Sequence, residues 1–117
     1  MFLYNVTVGI DTDIEQEWLA WMKSTHIPDV LKTGMFVDYK FYKVLHDNND
    51  GTISYCVQYF ATSLELVIQY LEVFGPAMAE EHRQKFIGKH VAFRTLLEEI
   101  WTKLNQGLFL KNPGTCL

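Results

Sequence analysis

The chain has 117 residues, 49% of them apolar and 21% charged, with a net charge of −4 and an aromatic share of 15%. This is the size and composition of one domain with material for a single core. No run of Lys or Arg is present, which argues against nucleic acid as a partner; no apolar stretch approaches the roughly 20 residues that span a bilayer, which argues against a membrane.

Residues 2–9 alternate, with Phe2, Tyr4, Val6 and Val8 on one side and Leu3, Asn5 and Thr7 on the other, the period of a half-buried strand. The start lacks the basic residues and long apolar run of a signal peptide, so a cytoplasmic location is expected. Gly9 and Asp11-Thr12-Asp13 close the strand. Thr12 with Glu15, or Asp13 with Gln16, has the form of a capping box, and Ile14, Trp18, Trp21 and Met22 then recur at helical spacing. A helix is expected over 13–25, broken or restarted at Pro28 and ended at Gly34 as a left-handed cap.

Residues 35–46 and 52–61 read as two strands of a hairpin joined by Asp47-Asn48-Asn49-Asp50-Gly51. Thr62 with Glu65 forms another capping box, followed by Leu64, Val67, Ile68, Leu71 and Phe74 at helical spacing. Gly75-Pro76 interrupts this helix; a second segment at 77–86 carries Met78, His82 and Phe86 and stops at Gly88. Residues 89–98 fit a strand, although Phe93, Leu96, Leu97, Ile100, Trp101 and Leu104 also recur at helical spacing; consistency with the rest of the fold favours the strand. The domain is expected over 1–100 and a turn-rich extension over 101–117, with Leu108-Phe109-Leu110 docked on a neighbour.

The order strand, helix, strand, strand, helix, strand defines an α+β, ferredoxin-like split β-α-β domain. Right-handed crossovers place both helices on one face of a four-stranded antiparallel sheet and leave the other face uncovered. That uncovered face favours a homodimer, because a domain this small gains from covering it. Tyr4, Val6, Val8, Ile53, Tyr55, Val57 and Tyr59 are expected to meet the helices. Asn5, Thr7, Ser54, Cys56, Gln58, Phe60 and Arg94 are expected on the open face, where Lys40 and Tyr42 join them in one register of the second strand.

Several segments carry a resemblance: Leu3-Tyr4-Asn5-Val6-Thr7-Val8, Glu17-Trp18-Leu19-Ala20-Trp21-Met22, His26-Ile27-Pro28-Asp29-Val30-Leu31, Tyr55-Cys56-Val57-Gln58-Tyr59 and His90-Val91-Ala92-Phe93-Arg94-Thr95-Leu96-Leu97. Together they resemble a family of bacterial proteins of unknown function, similar to the dimeric α+β barrel group. The resemblance implies fold and pairing. That group includes small monooxygenases, haem-degrading enzymes, lactone isomerases and ligand-binding or regulatory modules, so it selects no single activity.

Four candidate site residues emerge. His26, read at the end of the first helix, would favour its protonated form there and serve as an acid/base or ligand anchor; the alternative is a capping histidine. Arg94 could hold an anion or carboxylate, completed by Gln58 and Asn5 from neighbouring strands, or could belong to a cross-strand polar network. His82, beside Met78 and Phe86, reads as a partly buried, satisfied histidine; no second histidine stands at metal-binding spacing. Cys56 and Cys116 form no Cys-x-x-Cys pair, so neither a disulfide framework nor a thiolate metal site is expected. No cofactor motif is visible, and haem stays open. The leading expectation is a small-molecule-binding homodimer lined by Asn5, Gln58 and Arg94, with a cofactor-free monooxygenase or isomerase using His26 as a variant. The competing expectation is a regulatory or protein-interaction module with a dry dimer interface.

Overall fold

The computed structural model describes residues 1–46 and 49–102. Asp47 and Asn48 of the hairpin turn, and the extension from residue 103 with Leu108-Phe109-Leu110 and Cys116, lie outside the described residues. Four strands, β1 (Phe2–Asp11), β2 (Asp38–Lys43), β3 (Thr52–Ala61) and β4 (His90–Glu98), form one antiparallel sheet in the order β2-β3-β1-β4. The ambiguous segment from residue 89 is therefore a strand. Backbone pairing with β1 along its whole length outweighs its local helical spacing.

Two long helical arms pack on one face of this sheet. The first runs through α1 (Glu15–Trp21), a π-helical turn (Met22–His26) and α2 (Ile27–Lys32). The second runs through α3 (Leu64–Gln69), a π-helical turn (Tyr70–Phe74) and α4 (Gly75–Lys85). Each proline marks the expected interruption and restart: a π-helical turn breaks the arm just before it, and an α-helical segment resumes with it. Each sits in the first turn of the segment after a π turn, where its missing N–H leaves no donor wasted. The π turns close by wide bonds, from Ile27 N–H to the Met22 carbonyl and from Gly75 N–H to the Tyr70 carbonyl. A side chain at position 75 would meet that carbonyl at 3.3 Å, so glycine suits the turn. Gly34 does form the expected left-handed end, at φ 79°.

Helix starts differ from the expected capping boxes. The first arm begins with a short 3-10 turn, Thr12–Ile14, without a side-chain cap. In the second arm the cap is Ser63, whose hydroxyl accepts the Leu66 N–H at 3.3 Å, rather than Thr62. Ser63 holds the extended backbone that a cap needs, one residue further along.

The core lies between the sheet and the arms. Ile10, Trp18, Val30 and Ala61 are fully inaccessible, and Tyr4, Phe36, Tyr59 and Tyr70 pack ring against ring with centroids 5.0 to 6.1 Å apart. At the other end Trp18 packs between Phe41 and Tyr55, and the Tyr55 hydroxyl donates to Glu15, which also meets Lys43 at 3.5 Å. Burial and the Glu15 carboxylate push the Tyr55 hydroxyl up to about 12, so this strut keeps its proton at any ordinary pH. Among the described residues no helix is long and apolar enough to cross a membrane.

Replacing Ser63 with Ala is expected to lower unfolding free energy by about 1 kcal/mol, as loss of a hydroxyl cap does. Thr62→Ala, at an exposed neighbour, should shift it by less than about 0.5 kcal/mol. Urea denaturation of both variants decides the point; equal effects would remove Ser63 as the cap.

Candidate functional site

Register decides which side chains share a face. In the pairing of β1 with β4, Val6 stands opposite Arg94 and Val8 opposite Ala92, while Asn5 stands opposite Thr95 and Gln58. Arg94 therefore lies on the helix side of the sheet, not on the open face with Asn5 and Gln58. The expected grouping of those three is corrected. The face of β4 could not be read from its own pattern because both of its faces carry apolar residues: Val91 and Phe93 point outward and are 60% and 65% exposed. Shifting a strand's facing by one residue exchanges every side chain at once.

Asn5 and Gln58 do sit side by side on the open face, with Lys40 and Tyr42 joining them there. The Asn5 side chain is engaged locally: its Oδ1 accepts from the Cys56 thiol at 2.8 Å and its Nδ2 donates to the Thr7 hydroxyl at 3.4 Å. This is a cross-strand polar strip, flanked along β4 by apolar side chains.

The concave site lies on the other side, between the sheet and the two arms. It is a partly open cleft with an internal volume of about 40 Å³, smaller than a drug-sized site, so it suits only a small ligand. Tyr4, Tyr59 and Arg94 rise into it from the sheet. Met22, His26, Tyr70 and His82 descend from the arms. Three of those four come from the π turns. A wide turn rotates less per residue than a regular one, so it holds His26 on the face of Trp18 and Met22 instead of letting it drift away.

His26 thus does not end a helix, and the expected pull of a helix C-terminus on its charge is absent. The arm continues to Lys32. Burial dominates instead and lowers the imidazole to about 4, with Asp29 opposing and Arg94 reinforcing the shift. At neutral pH His26 is a free base. Its ring stacks on Trp21 with centroids 5.0 Å apart, and its Nδ1 is buried without a hydrogen-bond partner. The Tyr59 hydroxyl, on the same cleft, is likewise buried and unpartnered, and burial raises it far above the usual phenol.

His82 is 8% exposed and accepts a hydrogen bond from Trp18 Nε1 at 2.9 Å. Burial, then the neighbouring His90 and His26, lower its imidazole to about 3. Its ring lies 5.9 Å from that of His26 and 4.4 Å from that of His90. The expected satisfied histidine is therefore satisfied at one nitrogen and lines the cleft with its ring.

Arg94 donates through Nε to the Tyr4 hydroxyl at 2.9 Å. Among the described residues no carboxylate pairs with it. Its charge faces Tyr4, Tyr70, His26 and His82, all neutral at pH 7. Arg94 is exposed, and among the described residues its two terminal guanidinium nitrogens make no hydrogen bond, so they are free to meet an acceptor. Among the described residues no group of three or more His, Cys, Asp or Glu could hold a metal ion. Tyr4, Tyr59, Tyr70 and Trp18 were read from sequence only as core or not at all. The sole local signal for Tyr70 was the Gly75-Pro76 pair that shifts the helical phase ahead of it.

Residues 1–100 match the family described as Domain of unknown function (DUF4286). No curated relative matches the sequence. Solved structures share the fold at low identity. An ethyl tert-butyl ether d (ethd) family protein from Bacillus halodurans is 16% identical, with 86% of this chain and 100% of that one covered and a TM-score of 0.62. SnoaB, a cofactor-independent oxygenase from Streptomyces nogalater, is 15% identical, with 86% and 95% covered and a TM-score of 0.60. A dimeric ferredoxin-like protein from an uncultured marine organism is 16% identical, with 86% and 90% covered and a TM-score of 0.55.

The two lowered histidines set a pH dependence. Below the unfolded value of about 6.5 the unfolded chain binds protons that the folded chain refuses. Stability is therefore fully present above that pH and falls as pH drops, until the folded values of about 4 and 3 are reached. Urea midpoints taken from pH 7.5 to 5 should decline, and the His26→Ala variant should decline less steeply than wild type. A His26→Ala slope equal to wild type would show that His26 titrates normally in the folded protein.

Proposed function

The chain belongs to this family, and we propose that it binds a small, planar, weakly acidic molecule in the cleft, holds its anion against Arg94 and receives its proton at His26. The observation that carries the reading is Arg94, a cation without a carboxylate partner among the described residues, which shares the cleft with a neutral histidine whose Nδ1 is buried and unpartnered. A ligand O–H breaks, its electron pair stays on the oxygen, and the proton forms an N–H bond on the imidazole. The anion then raises the affinity of His26 for that proton by its own charge, offsetting burial. The aromatic walls from Tyr4 and Tyr70 suit a flat ligand.

Two reactions are open to an anion held this way. Reprotonation at a different atom is isomerisation. Electron transfer to dioxygen as co-substrate is cofactor-free oxygenation, in which a substrate methylene becomes a carbonyl and the second oxygen atom leaves as water. The structural likeness to SnoaB supports the second by analogy of fold.

The open face serves association in this reading. Val91, Phe93 and Leu97 form an exposed apolar row along β4 there, at 60%, 65% and 40% exposure. The likeness to a dimeric ferredoxin-like protein supports a homodimer built on that face. Chemistry and pairing then use opposite sides of one sheet.

Para-nitrophenol tests the cleft, because its absorption reports ionisation. Wild type should bind it and increase its ionised fraction at pH 6.5. Arg94→Gln should weaken binding by about 10- to 100-fold, the worth of a hydrogen-bonded charge. His26→Ala should bind without stabilising the ionised form. Binding of equal strength in all three proteins would sink the proposal, and failure of wild type to bind would leave the protein-interaction reading. For the pairing, wild type should scatter light as a dimer at micromolar concentration and Phe93→Asp as a folded monomer; a dimeric Phe93→Asp would move the interface elsewhere.

A further inference from the structure

Two histidines meet in the cleft, and the structure treats them differently. His26 offers a buried nitrogen with no partner. His82 is tied by Trp18, a residue that is wholly buried and does not line the cleft. The tie has a chemical consequence. An indole N–H can only donate, so the His82 Nε2 must be the accepting, unprotonated nitrogen. The ring proton of a neutral His82 then resides on Nδ1. Among the described residues no acceptor bonds that Nδ1, although the ring lines the cleft.

His90 does not undo this arrangement. Its own Nδ1 meets the Phe86 carbonyl at 3.0 Å; a carbonyl can only accept, so that nitrogen is the donor. Its ring packs edge-on against His82 without a hydrogen bond between them. The two cleft histidines are 5.9 Å apart between centroids, a spacing that two oxygens of one small molecule can bridge.

We propose that Trp18 is a positioning residue: it fixes His82 as an N–H donor beside the acceptor His26, so that the cleft selects molecules carrying a carbonyl next to an acidic hydroxyl, the enols of diketones and related hydroxy-carbonyl compounds. This rests on the proton transfer to His26 given above and adds the second group of the ligand. The carbonyl accepts from His82 while the hydroxyl faces His26. A ligand with an acidic hydroxyl alone leaves His82 unanswered. A buried donor without its partner costs more than the bond itself contributes, which is how a polar site discriminates.

The first test needs no ligand. Nitrogen NMR of the His82 ring in the full chain should show Nδ1 protonated and Nε2 free in wild type. In Trp18→Phe, which keeps an aromatic ring but removes the donor, the Nε2-protonated form should appear. An unchanged ring spectrum would overturn the role of Trp18 whatever the cleft binds.

The second test uses two probes. Dimedone is a cyclic diketone whose enol hydroxyl and carbonyl cannot bond to each other. Para-nitrophenol has no carbonyl beside its hydroxyl. Trp18→Phe should weaken dimedone by about fivefold, the worth of one neutral hydrogen bond, and leave para-nitrophenol unchanged. Equal losses for both probes would mean that Trp18 acts only through packing and would overturn the proposal. If Trp18→Phe does not fold, His82→Leu carries the same test: dimedone should weaken and para-nitrophenol should not. Weaker binding of both probes in Arg94→Gln and loss of para-nitrophenol ionisation in His26→Ala, but no discrimination in either His82→Leu or Trp18→Phe, would overturn this inference alone, whereas no effect of His26→Ala or Arg94→Gln on either probe would overturn the reading beneath it.

Discussion

The inner strand β1 hydrogen-bonds to β3 on one side and to β4 on the other, so one run of ten residues sets the facing of most of the sheet. Its even positions turn toward the helices and pull Tyr59, Val57, Ala92 and Arg94 onto the same side. A slip of one residue in either pairing would reverse the contents of the neighbouring strand. Ile10 and Val8, at 0% and 3% exposure, hold the register because the opposite facing would put them in water. The cleft and the open face are both products of this single constraint.

The helices add a second constraint of their own. Pro28 and Pro76 each remove a backbone donor at a similar point along the two arms. A regular helix would set the proline ring against the carbonyl four residues back. The π turn relieves this by widening the ladder just before the proline, and the helix then resumes. The same widening turns His26 and Tyr70 toward the sheet. Such turns cost regular hydrogen bonding, and their concentration at one cleft fits the tendency of π turns to occur where a side chain must be aimed.

Burial then shapes the chemistry. Taking imidazoles out of water favours their neutral forms, and the nearby Arg94 acts in the same direction. One cation therefore stands among neutral donors and acceptors in a chain whose net charge is −4. The acidic groups lie elsewhere: Glu15 braces Tyr55, Asp11 and Asp13 hold Lys89, and Glu80 holds Arg83. The opposite face carries Lys40 and a polar strip around Asn5 beside the apolar row of β4.

The sequence by itself determined the order of elements, the third strand to the residue, the inward side chains of β1 and β3 and the left-handed end at Gly34. These are local: alternation, turn residues and helical spacing act over a few positions, and each segment carries its own signal. It also singled out His26 and Arg94. Tertiary structure decided that these two share a cleft while Asn5 and Gln58 face away from it. The facing of β4 depends on its pairing partner, since Arg94 has a stem that packs and a head that bonds Tyr4, and Phe93 is apolar yet outward. Only the fold could bring Trp18 to His82, 64 positions apart, because the bond joins two arms that the sheet sets side by side. Periodicity reports which side of an element is apolar; it carries no information about which other element that side will meet.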